Sequence, residues 1–280
     1  MIIANPIYDV VFKRLMENER VAKFFISTLL NETVESVEFK PQEFTYTDRL
    51  AGLAVFRLDF IAVIKTEDGG TKKGLIEIQK AKNRIDLMRF RNYLAEQYKK
   101  QDRVDGEKQV LPITTIYILG FNLVEIESAC IRVERQYWDL ISNEVIAERS
   151  AFVEKLTHDS YVVQVGRITG RYKSRLDKLL SLFEQANFVG ENEVIKEYKH
   201  EADEMEVKLM RDILHHTGTD PVTRAEIDKE VEAWRTINAL FEDKEREFQK
   251  ALKALDEKEK ALKEQEELIA ELRRKLEDKA

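Results

Sequence analysis

The chain has 280 residues, with 46 Lys and Arg against 53 Asp and Glu, a formal net charge of −7, and 43% hydrophobic beside 35% charged residues. That charge content exceeds the roughly 25% of an ordinary globular domain, so a folded part and a charge-saturated part are expected side by side. One cysteine, Cys130, excludes an intramolecular disulfide and a multi-cysteine zinc site. No apolar run reaches the about 18 residues of a membrane span. Residues 1–8 lack the basic and long apolar stretches of a signal peptide, so a cytoplasmic location and no membrane partner are the expectation. With only 10 Gly and 4 Pro, a loop-rich all-β fold is disfavoured.

Apolar spacing predicts short helices over Asp9–Met16 and Glu19–Leu30, then a strand over Val34–Phe39. Val55–Lys65 and Gly74–Lys80 are β-rich and flank Asp68-Gly69-Gly70, a turn signature, which predicts a hairpin. Arg84–Gln101 reads as a helix, and Ile113–Leu119 (ITTIYIL) as a buried central strand. Cys130–Trp138 and Tyr161–Val165 are candidate strands; Leu176–Ala186 and Glu191–His215 read as helical. This order predicts an α/β domain over 1–220, a mixed sheet flanked by helices. The composition changes at Pro221, and 221–280 forms a second region.

Chemistry concentrates in Leu75-Ile76-Glu77-Ile78-Gln79-Lys80. Strand side chains alternate between faces, so Ile76 and Ile78 share one face and Glu77 and Gln79 the other. A carboxylate among β-branched residues needs a compensating partner: solvent, a base or a metal. Asp59, in Phe56-Arg57-Leu58-Asp59-Phe60-Ile61, is a second embedded carboxylate. A hairpin centred near residue 69 brings it within one diagonal step of Glu77. Two such carboxylates suit a divalent cation, Mg²⁺ or Mn²⁺, which takes one or two carboxylates together with substrate phosphates. They also suit one solvated face of an antiparallel pair with no ligand. Residues 80–108 hold nine basic and five acidic side chains, a local charge of +4. Arg89 and Tyr93 share a helix face there. A basic helix after a dicarboxylate strand fits a nucleic-acid backbone, and equally fits a solvated amphipathic helix.

Asn5-Pro6-x-x-Asp9-x-x-Phe12-Lys13, Arg57-x-Asp59, Ile76-Glu77-Ile78-Gln79 and Arg89-x-x-x-Tyr93 together resemble the PD-(D/E)XK nuclease superfamily. The branch most similar is the PD-(D/E)XK nuclease family transposase, akin to recombination-promoting nucleases. The resemblance covers about residues 1–220. It implies a restriction-endonuclease-like fold and a Mg²⁺- or Mn²⁺-dependent DNA endonuclease. Catalytic roles carry over to Asp9, Asp59, Glu77 and Gln79, with Asp59 and Glu77 as metal ligands and Phe12 as a packing anchor. Lys80, Lys82, Arg89, Arg91 and Tyr93 would bind nucleic acid. Gln79 stands where the superfamily usually has Lys; it can hydrogen-bond but carries no charge. A non-enzymatic protein of the same fold is the alternative this departure keeps open.

From Phe241 to Ala280, 24 of 40 positions are charged and none is Gly or Pro. Ile227, Trp234, Phe241, Phe248, Leu255, Leu262, Ile269 and Leu276 fall seven apart, a seam along a helix of about 75 Å. The positions three and four further on are mixed, whereas a strong coiled coil needs both seams apolar. The expectation is a C-terminal coiled coil joining copies of the chain or a partner protein; a solvated single helix is the competing reading.

Overall fold

The computed structural model describes residues 1–48, 53–67, 69–79, 84–104, 106–190 and 193–277, and excludes the side chains at 39–48, 53–59, 84–89 and scattered positions after 236. The chain runs β1 (Ile2–Ala4), α1 (Asp9–Met16), α2 (Glu19–Leu30), β2 (Val34–Asp48), β3 (Leu53–Thr66), β4 (Thr71–Gln79), α3 (Arg84–Lys99), β5 (Asp102–Val104), β6 (Glu107–Gln109) and β7 (Ile113–Leu119). It continues with β8 (Cys130–Val133), β9 (Tyr137–Asp139), β10 (Glu144–Ile146), β11 (His158–Gln164), α4 (Arg175–Ser181), β12 (Phe188–Val189), β13 (Ile195–Glu197), α5 (Met205–Thr219) and α6 (Pro221–Glu277).

Six strands form one mixed sheet in the order β2-β3-β4-β7-β11-β8. The β2–β3 and β3–β4 pairs are antiparallel. At the β3–β4 turn, Thr66 N donates to Gly70 O at 2.9 Å, and Gly69 has φ +81°, the left-handed region that glycine enters without a Cβ penalty; Asp68 of the predicted turn lies outside the described residues. β4 and β7 run parallel, as do β7 and β11. Parallel neighbours need a crossover, and α3 lies in the β4–β7 crossover.

Aromatic packing builds the core on one side of the sheet. Phe12 of α1 contacts Phe25 of α2 at 5.4 Å, Phe60 of β3 at 5.0 Å and Phe183 at 6.4 Å between ring centroids. Edge-on pairs at these separations add to the gain from burial alone. The Asn18 side chain caps α2 by accepting from Val21 N at 3.2 Å. Asn31 closes the same helix at φ 52°, a conformation asparagine tolerates. The opposite side holds Ile61, Leu75, Tyr93 and Ile113, with Leu94 and Tyr98 packed against them; α3 covers this side.

Four sequence expectations need correction. The strand from Val34 continues to Asp48, nine residues past Phe39. The segment Cys130–Trp138 is two strands, β8 and β9, in different sheets. The helix expected over Leu176–Ala186 is α4, Arg175–Ser181, which starts on a Ser174–Asp177 capping box. The helix expected over Glu191–His215 begins only at Met205, because β13 pairs with β1 through Ile2–Glu197, Ile3–Lys196 and Ala4–Ile195. Val194, Lys196 and Tyr198 are buried while Glu197 is exposed, a period of two. Among the described residues no helix is long and apolar enough to cross a membrane.

The chain divides into two compact units, Met1–Ile227 and Asp228–Ala280. The first contains the sheet. The second is helical, and Leu252, Leu255 and Leu262 in it are exposed.

Candidate active site

β4 is buried along its last seven residues, Lys73 to Gln79. Its odd-numbered side chains face α3. Lys73 Nζ lies 3.5 Å from Gln97 Oε1 and 2.6 Å from Asp102 Oδ2; Leu75 packs with Tyr93. Alternation then sets Glu77 and Gln79 on the same side, at 2% and 8% exposure. A carboxylate at 2% exposure is among the costliest groups to bury unless it is paired and hydrogen-bonded.

Parallel pairing aligns Glu77 with Tyr117 and Gln79 with Leu119. The Tyr117 hydroxyl is pushed well above its usual range, first by burial and further by the negative charge of Glu77, with Thr115 opposing. Tyr117 stays a neutral phenol, and its ring contacts Phe90 of α3 at 4.5 Å between centroids. The backbone of Gln79 is tied down by Gly120 N, which donates to Gln79 O at 2.8 Å. Glu77 and Gln79 therefore sit near the C-terminal end of a central strand, on its α3 side, with Tyr117 of β7 beside Glu77 and Phe90 of α3 against the Tyr117 ring.

The β3–β4 ladder pairs Phe60 with Ile76. Asp59 and Glu77 each stand one residue beyond that last described pair, on adjacent strands. The side chains of Asp59 and Arg89 lie outside the description, as do Lys80 and Lys82 altogether. α1 carries Asp9 at its first position and packs through Phe12 on Phe60. Phe60 and Ile76 belong to the sheet face opposite Glu77, so α1 and α3 cover opposite faces. Arg91 is exposed on α3. Tyr93 is not a surface residue: at 1% exposure, among Ile61, Leu75 and Ile113, it anchors α3 to the sheet. An aromatic four positions from an arginine on a helix fits both roles in sequence; only the packed sheet separates them.

Asn5, the first residue of the N-terminal motif, is fully buried. Its Nδ2 donates to Gln185 Oε1 at 2.8 Å and to Glu193 O at 2.9 Å. It joins the N-terminus to the segment before β13. Two buried lysines were missed by the sequence reading: Lys73 beside Asp102, and Lys196 on β13. The only signal for either was its place in a short alternating stretch.

Among the described residues no three His, Cys, Asp or Glu side chains converge as a metal site; the Asp59 side chain is not among them. The donor types available, the Glu77 carboxylate, the Gln79 amide and a second carboxylate on the adjacent strand, are hard oxygens of the kind Mg²⁺ and Mn²⁺ accept. No family model, curated protein or solved structure matches the chain.

Proposed function

We propose that the chain is a metal-dependent DNA endonuclease of the PD-(D/E)XK type, with Asp59 and Glu77 holding Mg²⁺ or Mn²⁺. The observation that carries this is the burial of Glu77 at 2% exposure at a strand end, one residue beyond the Phe60–Ile76 pair, with Asp59 one residue beyond it on the adjacent strand. When bound, such an ion supplies Lewis-acid polarisation of a phosphate and lowers the pKa of a water. The chain's own residues do the rest. Gln79 offers an amide that donates to a phosphate oxygen or orients the attacking water. Tyr117, kept neutral, can donate a proton in a hydrogen bond without adding negative charge beside the phosphate. Arg91, with Lys80, Lys82 and Arg89, meets the phosphate backbone in a region of local charge +4; Tyr93 supports that helix from beneath. Asp9 starts α1, which covers the other face of the sheet, and so has no ligand role in the proposed site. The experiment is a plasmid-nicking assay with and without Mg²⁺, on the parent chain and on Glu77→Gln and Asp59→Asn. Metal-dependent nicking that both variants reduce to background is expected. Variants that cut like the parent overturn the assignment.

A second reading rests on one specific observation, the uncharged Gln79 in the place of the family's lysine. In it the fold has lost its activity and serves as a platform, with α6 joining copies or partners as a coiled coil. The two readings divide on metal binding. A ligand that binds only the folded chain raises its melting temperature by mass action; a shift of zero at millimolar Mg²⁺ and Mn²⁺ favours the platform.

A further inference from the structure

β9 and β10 form an arm that follows the sheet's edge strand β8, and Trp138 pairs with Val145 across it. A lone two-stranded hairpin is marginally stable in water, yet this one is pinned at its base. The Arg135 guanidinium bonds Asp159 at 3.0 Å, Thr157 at 2.9 Å and Glu154 at 2.5 Å, and the Tyr137 hydroxyl donates to Glu154 at 2.6 Å. The turn is fixed as well. Asn143 N donates to Asp139 O at 2.8 Å, and Asp139 Oδ1 accepts from Ile141 N at 2.8 Å and Ser142 N at 3.4 Å. This ordered turn holds Leu140 and Ile141 at 91% and 98% exposure, next to Trp138 at 49% and Val145 at 53%. Single exposed leucines are ordinary. A rigid, contiguous group of four apolar side chains marks an interaction surface, because its ordering cost is met before any partner arrives.

The charge around the tip selects the partner. Residues 136–148 contain Asp139, Glu144 and Glu148 and no Lys or Arg, which disfavours a phosphate backbone or an anionic lipid surface. A complementary surface exists on the same chain. A hollow of about 560 Å³ is lined by Met1, Ile2, Ile195 and Gly218, with Arg224 and His215 beside them and no carboxylate among its described lining residues. Met1 and Ile2 are 50% and 41% exposed.

We propose that the arm tip, Leu140 and Ile141, docks into the Met1–Ile2–Ile195 hollow of a second copy of this chain. The contact joins two different surfaces, so it is head-to-tail and either closes into a ring or extends as a filament. It is independent of the endonuclease reading and of any association through α6.

The test mixes two full-length proteins in a Cys130→Ser background, one carrying Ile141→Cys and one carrying Ile2→Cys, with a short bis-maleimide. The expected result is a cross-linked dimer in several-fold higher yield than from Ile141→Cys mixed with Lys173→Cys, an exposed control position. Adding Leu140→Asp to the Ile141→Cys protein cuts the yield to that of the control. A matched melting temperature confirms folding, since residues 140 and 141 make little contact in the free chain. A yield equal to the control, or one that Leu140→Asp leaves unchanged, overturns the proposal.

Discussion

Lys196 shows how far a single side chain can be displaced from its ordinary behaviour. It is 2% exposed on β13, and its ammonium nitrogen donates to the Glu184 carbonyl. Burial pushes its pKa down from 10.5 to about 7, with Glu184 opposing in part. Between those two values the unfolded chain holds a proton that the folded chain has released. Stability must therefore rise with pH from about 7 toward about 10.5 and gain nothing from this group below that window. The urea midpoint of the parent is expected to climb between pH 7 and pH 9. In Lys196→Met, similar in length and without charge, the climb should be flatter. Equal slopes in the two proteins would remove Lys196 as its source. In sequence this lysine sits in Val194-Ile195-Lys196-Glu197-Tyr198, a stretch too short to distinguish strand from helix. Glu77 was legible for the opposite reason. Its strand is long, β-branched and flanked by a glycine turn, so its face followed from alternation, while its burial under α3 emerges only in the packed sheet.

At the scale of elements, legibility followed the range of the interactions that form each one. α1, α2 and β7 have the bounds their apolar spacing predicts, because local periodicity, with the Asn18 cap on α2, marks them. β1 and β13 are three residues each, and they pair across more than 190 positions of chain; no local pattern encodes that. The cover of the candidate site belongs to the same class. α3 was visible as a helix, but Tyr93 was readable as a surface residue until its neighbours Leu75 and Ile113 were in place. α6 is the long helix the heptads predicted, 57 residues, about 85 Å at about 1.5 Å per residue. Within it Leu255 and Leu262 are 55% and 57% exposed. A seven-residue repeat matches a supercoiled seam better than the face of an isolated straight helix, so the proposed occupant is a second helix. Leu255→Asp with Leu262→Asp is expected to lower the mass of the full-length protein by light scattering while leaving the cross-link between Ile141→Cys and Ile2→Cys intact. A parent that is already monomeric at high concentration would rule out the self-associating coil.

Across the whole molecule, charge divides by region. The −7 of the chain coexists with +4 over residues 80–108, so net acidity is a poor guide to what the sheet's α3 face can bind. A second whole-chain property is closure of the first unit by its own N-terminus. Met1 exchanges hydrogen bonds with Tyr198, its amino group donating to Tyr198 O at 3.1 Å and its carbonyl accepting from Tyr198 N at 2.7 Å. Asn5 N donates to Val194 O at 2.7 Å, and His215 Nδ1 lies 2.6 Å from Ile2 O.

Gly218, near the end of α5, sits at the point of closest approach. A Cβ built there would lie 2.9 Å from Ala4 N and 3.4 Å from Ala4 Cα. Two effects of Gly218→Ala oppose each other. Alanine gains about 1 kcal/mol of helix propensity in a helix interior, and less near a frayed end. Against this, the new methyl meets backbone rather than a side chain that could swing aside, and overpacking of that kind costs about 1–3 kcal/mol. β1 is held on its other side by β13, so it cannot retreat without breaking the pairs Ile3–Lys196 and Ala4–Ile195. The clash should win. Gly218→Ala is expected to lower unfolding free energy by about 1–2 kcal/mol in urea titration, with faster amide exchange at Ile3 and Ala4 than in the parent. A variant more stable than the parent would mean that helix propensity dominates and that β1 is free to move away from α5.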